Sequence, residues 1–136
     1  MPDSFAEHEE NGVVYMTAPV ITARHAFSTR YGGISSGDFA SLNLGFNRGD
    51  DTANVLENYR RLGAAVGIDA LHGAYTHQVH GTVVRLVGEE DRRSLDAGKG
   101  PECDGLVTVT PGLPIFCFTA DCVPVLLHDP VRGAAV

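Results

Sequence analysis

The 136-residue sequence has no block of Lys and Arg, and its formal net charge is −7. A surface that tracks nucleic-acid phosphates needs clustered positive charge, so this function class is disfavoured, while a single nucleoside or nucleotide ligand stays compatible. Cys-x-x-Cys pairs are also absent, and Cys103, Cys117 and Cys122 make an odd count. Reduced thiols in a cytoplasmic protein fit this usage better than a disulfide framework. The apolar runs are far too short to span a bilayer. The stretch from Met1 to Asn11 carries Asp3, Glu7, Glu9 and Glu10. It lacks the basic and apolar regions of a signal peptide. Internal repeats and low-complexity tracts are absent as well.

What is there is ordinary for a globular protein: 43% apolar and 20% charged residues. The length suits one domain with one core over residues 1–136. Val13 to Met16 and Ile21 to Ser28 read as strands, broken near Pro19. Gly32-Gly33 marks a turn or a close approach of backbone. Ser41-Leu42-Asn43-Leu44 is a short alternating segment. Val55, Tyr59, Leu62 and Val66 recur at steps of four, three and four, which predicts a helix after Asp50-Asp51, capped by one of these acids and closed by Gly67.

Beyond that helix the pattern turns to strands at Val83 to Val87, Leu106 to Val109, Ile115 to Thr119 and Val123 to His128. Pro111-Gly112 supplies a turn, and the stretch from Gly88 to Cys103 reads as a mobile loop. The expected class is α/β of the α+β type, with a mixed, largely antiparallel sheet. Gly133-Ala134-Ala135-Val136 reads as the start of another strand. A chain that ends inside such a run predicts a fragment, incomplete at its C-terminal side.

The residues that carry chemistry are His80, in Gln78-Val79-His80-Gly81, and Cys122, in Thr119-Ala120-Asp121-Cys122-Val123-Pro124, 42 positions further on. An imidazole and a thiol can bind zinc or form a nucleophilic pair, and both roles need a third group. A satisfied structural histidine and a small buried hydrophobe are the plain alternatives. Cys117, between two phenylalanines, reads as core filling and Cys103 as an exposed loop thiol. His77 and His80 at i, i+3 on extended chain face opposite ways, which discounts a joint site. His128 is read as a surface residue. Arg30 beside the paired glycines can hold a phosphate or simply cap a turn.

Taken together, the segments resemble the YfiH family, also called the laccase-domain or polyphenol-oxidase-like family. The matching residues are His25-Ala26-Phe27-Ser28-Thr29-Arg30-Tyr31-Gly32-Gly33, Ser41-Leu42-Asn43-Leu44-Gly45 and Gly49-Asp50-Asp51 with Glu57-Asn58. Further matches are Gln78-Val79-His80-Gly81, Asp104-Gly105-Leu106-Val107-Thr108 and Thr119-Ala120-Asp121-Cys122-Val123-Pro124. They follow the family's order and cover the N-terminal part of its domain.

The resemblance implies a zinc held by His80, Cys122 and a further histidine, in a His-Ala-Gly-Trp-Arg-Gly motif expected after Val136. Three protein ligands with an open fourth position suit a catalytic zinc. It implies phosphorolysis of inosine, adenosine, guanosine or methylthioadenosine to free base and ribose 1-phosphate, with adenosine deamination beside it. Arg30 is the phosphate candidate, and Asn43, Gln78 and Asp121 are the orienting candidates. A multicopper oxidase needs His-x-His pairs, and none of the six histidines forms one; copper oxidation is therefore rejected. Two other readings compete. One is a metal-free hydrolase with Cys122 as nucleophile and His80 as base. The other is an inactive truncated domain that only binds a partner.

Overall fold

A computed structural model describes residues 4–136. Contacts divide the chain into two units, Met1–Leu71 and His72–Val136, each taken by itself.

The first unit opens with an antiparallel hairpin, β1 (Ala6–Glu10) and β2 (Val13–Thr17). Asn11 and Gly12 join the strands with φ of 51° and 80°. Two left-handed residues in an Asn-Gly pair make the turn whose twist matches a hairpin. β3 (Phe27–Ser28) pairs antiparallel with β2. The strand expected from Ile21 is therefore only its last two residues. His25 explains the difference, because its Nε2 accepts from the Ala18 N–H at 2.8 Å and its Nδ1 stands 2.8 Å from the Ala23 carbonyl. A looped backbone is held by the imidazole rather than by a ladder.

The helix forms where the spacing predicts it. α1 spans Thr52–Val66, Asp51 caps it by accepting from the Ala53 N–H, and Gly67 closes it in the left-handed conformation. Its buried stripe includes Val55, Asn58, Tyr59 and Leu62. Leu62 joins Val13 and Leu42 in the core, with Tyr15, Leu44, Ala65 and Val66 packed around them. Each fully buried aliphatic side chain stabilises by about 1.5–3 kcal/mol. Close approach, the second possibility for Gly32-Gly33, is what occurs. A Cβ on Gly33 would lie 2.0 Å from the Ser41 carbonyl oxygen, and one on Gly32 would lie 2.3 Å from that of Gly12.

The second unit contains β4 (His72–Gly73), β5 (Val84–Leu86), β6 (Arg93–Ser94), β7 (Gly105–Val107), β8 (His128–Asp129) and β9 (Ala134–Ala135). β4 pairs with β6 and β8 with β9, both antiparallel, while β5 and β7 run parallel. The fold is thus mixed α/β, with small sheets, mostly antiparallel, and one α-helix among the described residues. No helix among the described residues is long and apolar enough to cross a membrane.

Several expectations for this unit are corrected. The stretch from Gly88 to Cys103 is built into the fold, through a 3-10 turn at Glu89–Asp91, strand β6, and the Tyr75 hydroxyl, whose oxygen lies 2.9 Å from both the Ser94 and the Gly98 carbonyl and donates its one proton between them. Cys103 is 1% exposed, in a core with Ala74, Val87, Leu106 and Leu113, and is no surface thiol. Cys117 is exposed rather than core filling. Residues 115–119 contribute one bridge, Ala74 to Ile115, instead of a strand. Of the strand expected over Val123 to His128 only the end is present, and Val123, Val125 and Leu127 are exposed. Apolar runs predict burial, and these side chains remain mostly exposed among the described residues.

Candidate functional site

The site is organised by the register of β5 and β7. Val84 stands beside Gly105, and the Asp104 and Gly105 N–H groups both donate to the Val83 carbonyl. The segment just ahead of β5 therefore meets the residue just ahead of β7. That segment is the turn Val79-His80-Gly81, and that residue is Asp104. Asp104 Oδ1 accepts from the Val79 and His80 N–H groups at 3.1 and 2.8 Å, and Oδ2 accepts from the Gly81 N–H at 2.8 Å. The Gly81 N–H, with those of Val79 and His80, holds the Asp104 carboxyl below the usual carboxylate range.

Within this turn His80 has φ of 60°. The left-handed region costs a residue with a Cβ roughly 1–2 kcal/mol. The turn directs the imidazole to Cys122, whose Sγ lies 3.7 Å from His80 Nε2. Both residues are exposed. The two segments are joined a second time by Gln78. Its Oε1 accepts from the Phe118 N–H at 2.8 Å and its Nε2 donates to the Phe118 carbonyl at 2.9 Å, in the manner of a neighbouring strand. Four residues beyond Phe118 the chain arrives at Cys122.

The pair fits zinc. Ligand bonds of about 2.3 Å to sulfur and 2.0 Å to nitrogen at a tetrahedral angle place S and N about 3.5 Å apart. The observed 3.7 Å lies close to that separation. A thiolate and an imidazole also form a donor set that zinc accepts readily. Among the described residues no group of three or more His, Cys, Asp and Glu side chains is arranged to hold a metal, so the pair supplies two ligands. His77 takes no part with His80; its N–H donates to the Pro101 carbonyl at 3.0 Å, and it bridges to Glu102. Cys117 stands near enough to Cys122 to feel it: partial desolvation, and then that neighbouring thiol, push the Cys117 thiol up.

The other sequence candidates fall into two groups. Asp121 is exposed beside Cys122. Gln78 uses its amide on the Phe118 backbone. Arg30 and Asn43 belong to the first unit. The Arg30 guanidinium donates through Nε to the Ala40 carbonyl at 3.0 Å. Asn43 donates to Asp50 Oδ2 at 3.0 Å and accepts from the Gly45 N–H at 3.0 Å. Both therefore serve the loop around Gly32-Gly33 and the start of α1. The residue that reading the sequence missed is Asp104. It stands in a matching segment, Asp104 to Thr108, yet no local pattern announces that a carboxylate will gather three N–H groups from 23 to 25 positions away.

Residues 24–136 match the family described as multi-copper polyphenol oxidoreductase laccase, and the chain belongs to that family. It is 43% identical over 115 residues to a purine nucleoside phosphorylase of Mycobacterium tuberculosis, covering 85% of this chain and 44% of that protein. A purine nucleoside phosphorylase of Deinococcus radiodurans is 44% identical over 122 residues, covering 90% of this chain and 45% of that one. Among solved structures, YlmD from Geobacillus stearothermophilus aligns with a TM-score of 0.85 at 34% identity, over 98% of this chain and 51% of the other. The Bacillus licheniformis hypothetical protein YfiH aligns at 0.76 and 27% identity, over 98% and 50%. The chain spans about half the length of the curated relatives it matches.

Proposed function

We propose that this chain is part of a zinc-dependent purine nucleoside phosphorylase in which His80 and Cys122 are two of the zinc ligands. The observation that carries the reading is the 3.7 Å approach of Cys122 Sγ to His80 Nε2, in a chain whose curated relatives are named purine nucleoside phosphorylases. The third ligand is the histidine that the family resemblance places after Val136. Bound there, zinc supplies a Lewis acid beside the reacting groups.

The reaction needs a placed phosphate and stabilisation of charge on the sugar and the departing base. A phosphate oxygen bonds to C1′ as the bond from C1′ to N9 breaks; the electron pair leaves with the purine, which takes up a proton. Asp121, exposed beside Cys122, is assigned to orientation of the nucleoside. Adenosine deamination, in which water adds at C6 and ammonia departs, is assigned to the same site. The donor set, one thiol and one imidazole, is poorly matched to a multicopper cluster.

The test is release of hypoxanthine from inosine by the whole protein, with and without phosphate. Phosphate-dependent release that Cys122→Ser abolishes and a chelator suppresses is expected. Turnover indifferent to chelators, with Cys122 trapped by an electrophile, would replace this reading with a metal-free Cys–His hydrolase. No turnover by the whole protein would leave a domain that only binds.

A further inference from the structure

We propose that Asp104 is the positioning residue of the His80–Cys122 pair: its carboxylate gathers the Val79, His80 and Gly81 N–H groups and so fixes the left-handed turn from which the imidazole reaches the thiol. As far as metal is concerned, the proposal rests on the zinc reading given above. Three observations carry it.

The first is the geometry of the acid. Both oxygens accept bonds of 2.8 Å, one from the His80 N–H and one from the Gly81 N–H, with the Val79 N–H shared between them at 3.1 and 3.2 Å. A carboxylate so engaged serves the backbone as an anion in a nest of N–H groups. A direct role as base or ligand would have to break those bonds, so the arrangement fits a residue that acts through its neighbour. The second is the strain it offsets. His80 sits at φ of 60°, a region that residues with a Cβ seldom occupy, and the bonds from three consecutive N–H groups define that turn. The third is the anchoring of the acid itself. Cys103, immediately before it, is 1% exposed in the core, and the Asp104 N–H donates to the Val83 carbonyl. A fixed element therefore holds the acid, and the acid holds the ligand loop. Ligand-orienting contacts of this kind govern metal affinity as well as catalysis.

The substitution that isolates the effect is Asp104→Asn. The amide keeps the shape of the acid, but it has one acceptor oxygen, and its NH2 group faces N–H donors it cannot satisfy. Two readouts are made on the purified full-length protein. In the metal-free protein, hydrogen exchange at the Val79, His80 and Gly81 amides is expected to quicken in the variant, with exchange in α1 unchanged. In a titration with cobalt(II), followed by the thiolate-to-cobalt absorption of Cys122, affinity is expected to fall about 10- to 100-fold. Asp104→Glu, which keeps the carboxylate, is expected to recover part of the loss. It also serves as the test variant should Asp104→Asn not fold.

A merely structural aspartate would lower the melting temperature and leave the cobalt affinity of the folded protein unchanged, and that result overturns the proposal. Wild-type protein that binds no cobalt refutes the zinc reading instead. The role of Asp104 is then decided by the exchange of the three amides alone, where unaltered rates overturn it and faster rates support it.

Discussion

Asn58 lies on the apolar stripe of α1 and is 0% exposed, so its replacement tests whether a buried polar side chain ties the helix to the loop before it. Its Oδ1 accepts from the Ile34 N–H at 2.8 Å, and its Nδ2 donates to Ser35 Oγ at 2.9 Å and to the Asn43 carbonyl at 2.8 Å. In Asn58→Ala all three bonds go. Ser35 keeps its bond to Asp50, so the cost falls mainly on the Ile34 N–H and the Asn43 carbonyl. A buried group left without its partner costs about 1–3 kcal/mol. Two such groups, partly relieved by water entering the vacated space, give a loss of about 3 kcal/mol. That is a large share of the roughly 5–15 kcal/mol that holds a typical domain together. Urea unfolding followed by circular dichroism of α1 reads it directly, as a midpoint lowered by about 1 M or more. Ala64→Ser, at an exposed position of the same helix, is the control and is expected to change little. Asn58→Ala within about 0.5 kcal/mol of wild type would mean that the three bonds carry no net stability and that Asn58 does not tie the helix to the loop.

Gly33→Ala is expected to destabilise by about 3 kcal/mol or more, since the new Cβ would meet backbone at Ser41 and Leu42 that cannot yield as a flexible side chain would. Unfolding in urea measures it, and a change under about 1 kcal/mol would show that this loop gives way. A second expectation concerns acid. Hydrogen bonds from Asn43 and Ser35 lower the Asp50 carboxyl, those of Gly81, Val79 and His80 lower Asp104, and the bonds from Arg60 and Arg61 bring Glu57 to about 2. Groups whose pKa falls on folding add stability above their unfolded values and lose it as pH drops through the folded ones. Stability should therefore decline from about pH 5 towards about pH 2, and Asp50→Asn should flatten part of that decline. A urea midpoint independent of pH over that range would contradict the assignment.

Much of the first unit was legible because its signals are local. Asp51 before the helix, the steps among Val55, Tyr59, Leu62 and Val66, and Gly67 after it act within a few residues of chain. The hairpin at Asn11-Gly12 carried an equally local signal, overlooked beside the charge of β1. The second unit was less legible because its side chains answer to distant partners. Cys103 and Cys117 exchanged the expected burial, since the loop before Cys103 is pinned by Tyr75 while residues 115–119 are held by one bridge and the Gln78 amide rather than by a strand ladder. The pairing of His80 with Cys122 was legible only through resemblance; spacing left it as one possibility among several. The left-handed turn at His80 and its dependence on Asp104 come from the parallel register of β5 and β7, which no short window of sequence contains.

The zinc content of the purified full-length protein, taken together with its turnover of inosine in phosphate, decides whether His80 and Cys122 belong to a zinc phosphorylase. About one zinc per chain and phosphate-dependent release of hypoxanthine are expected, with loss of both in His80→Ala and in Cys122→Ser. Protein that turns over inosine without zinc, or that keeps its zinc in both variants, would contradict that assignment.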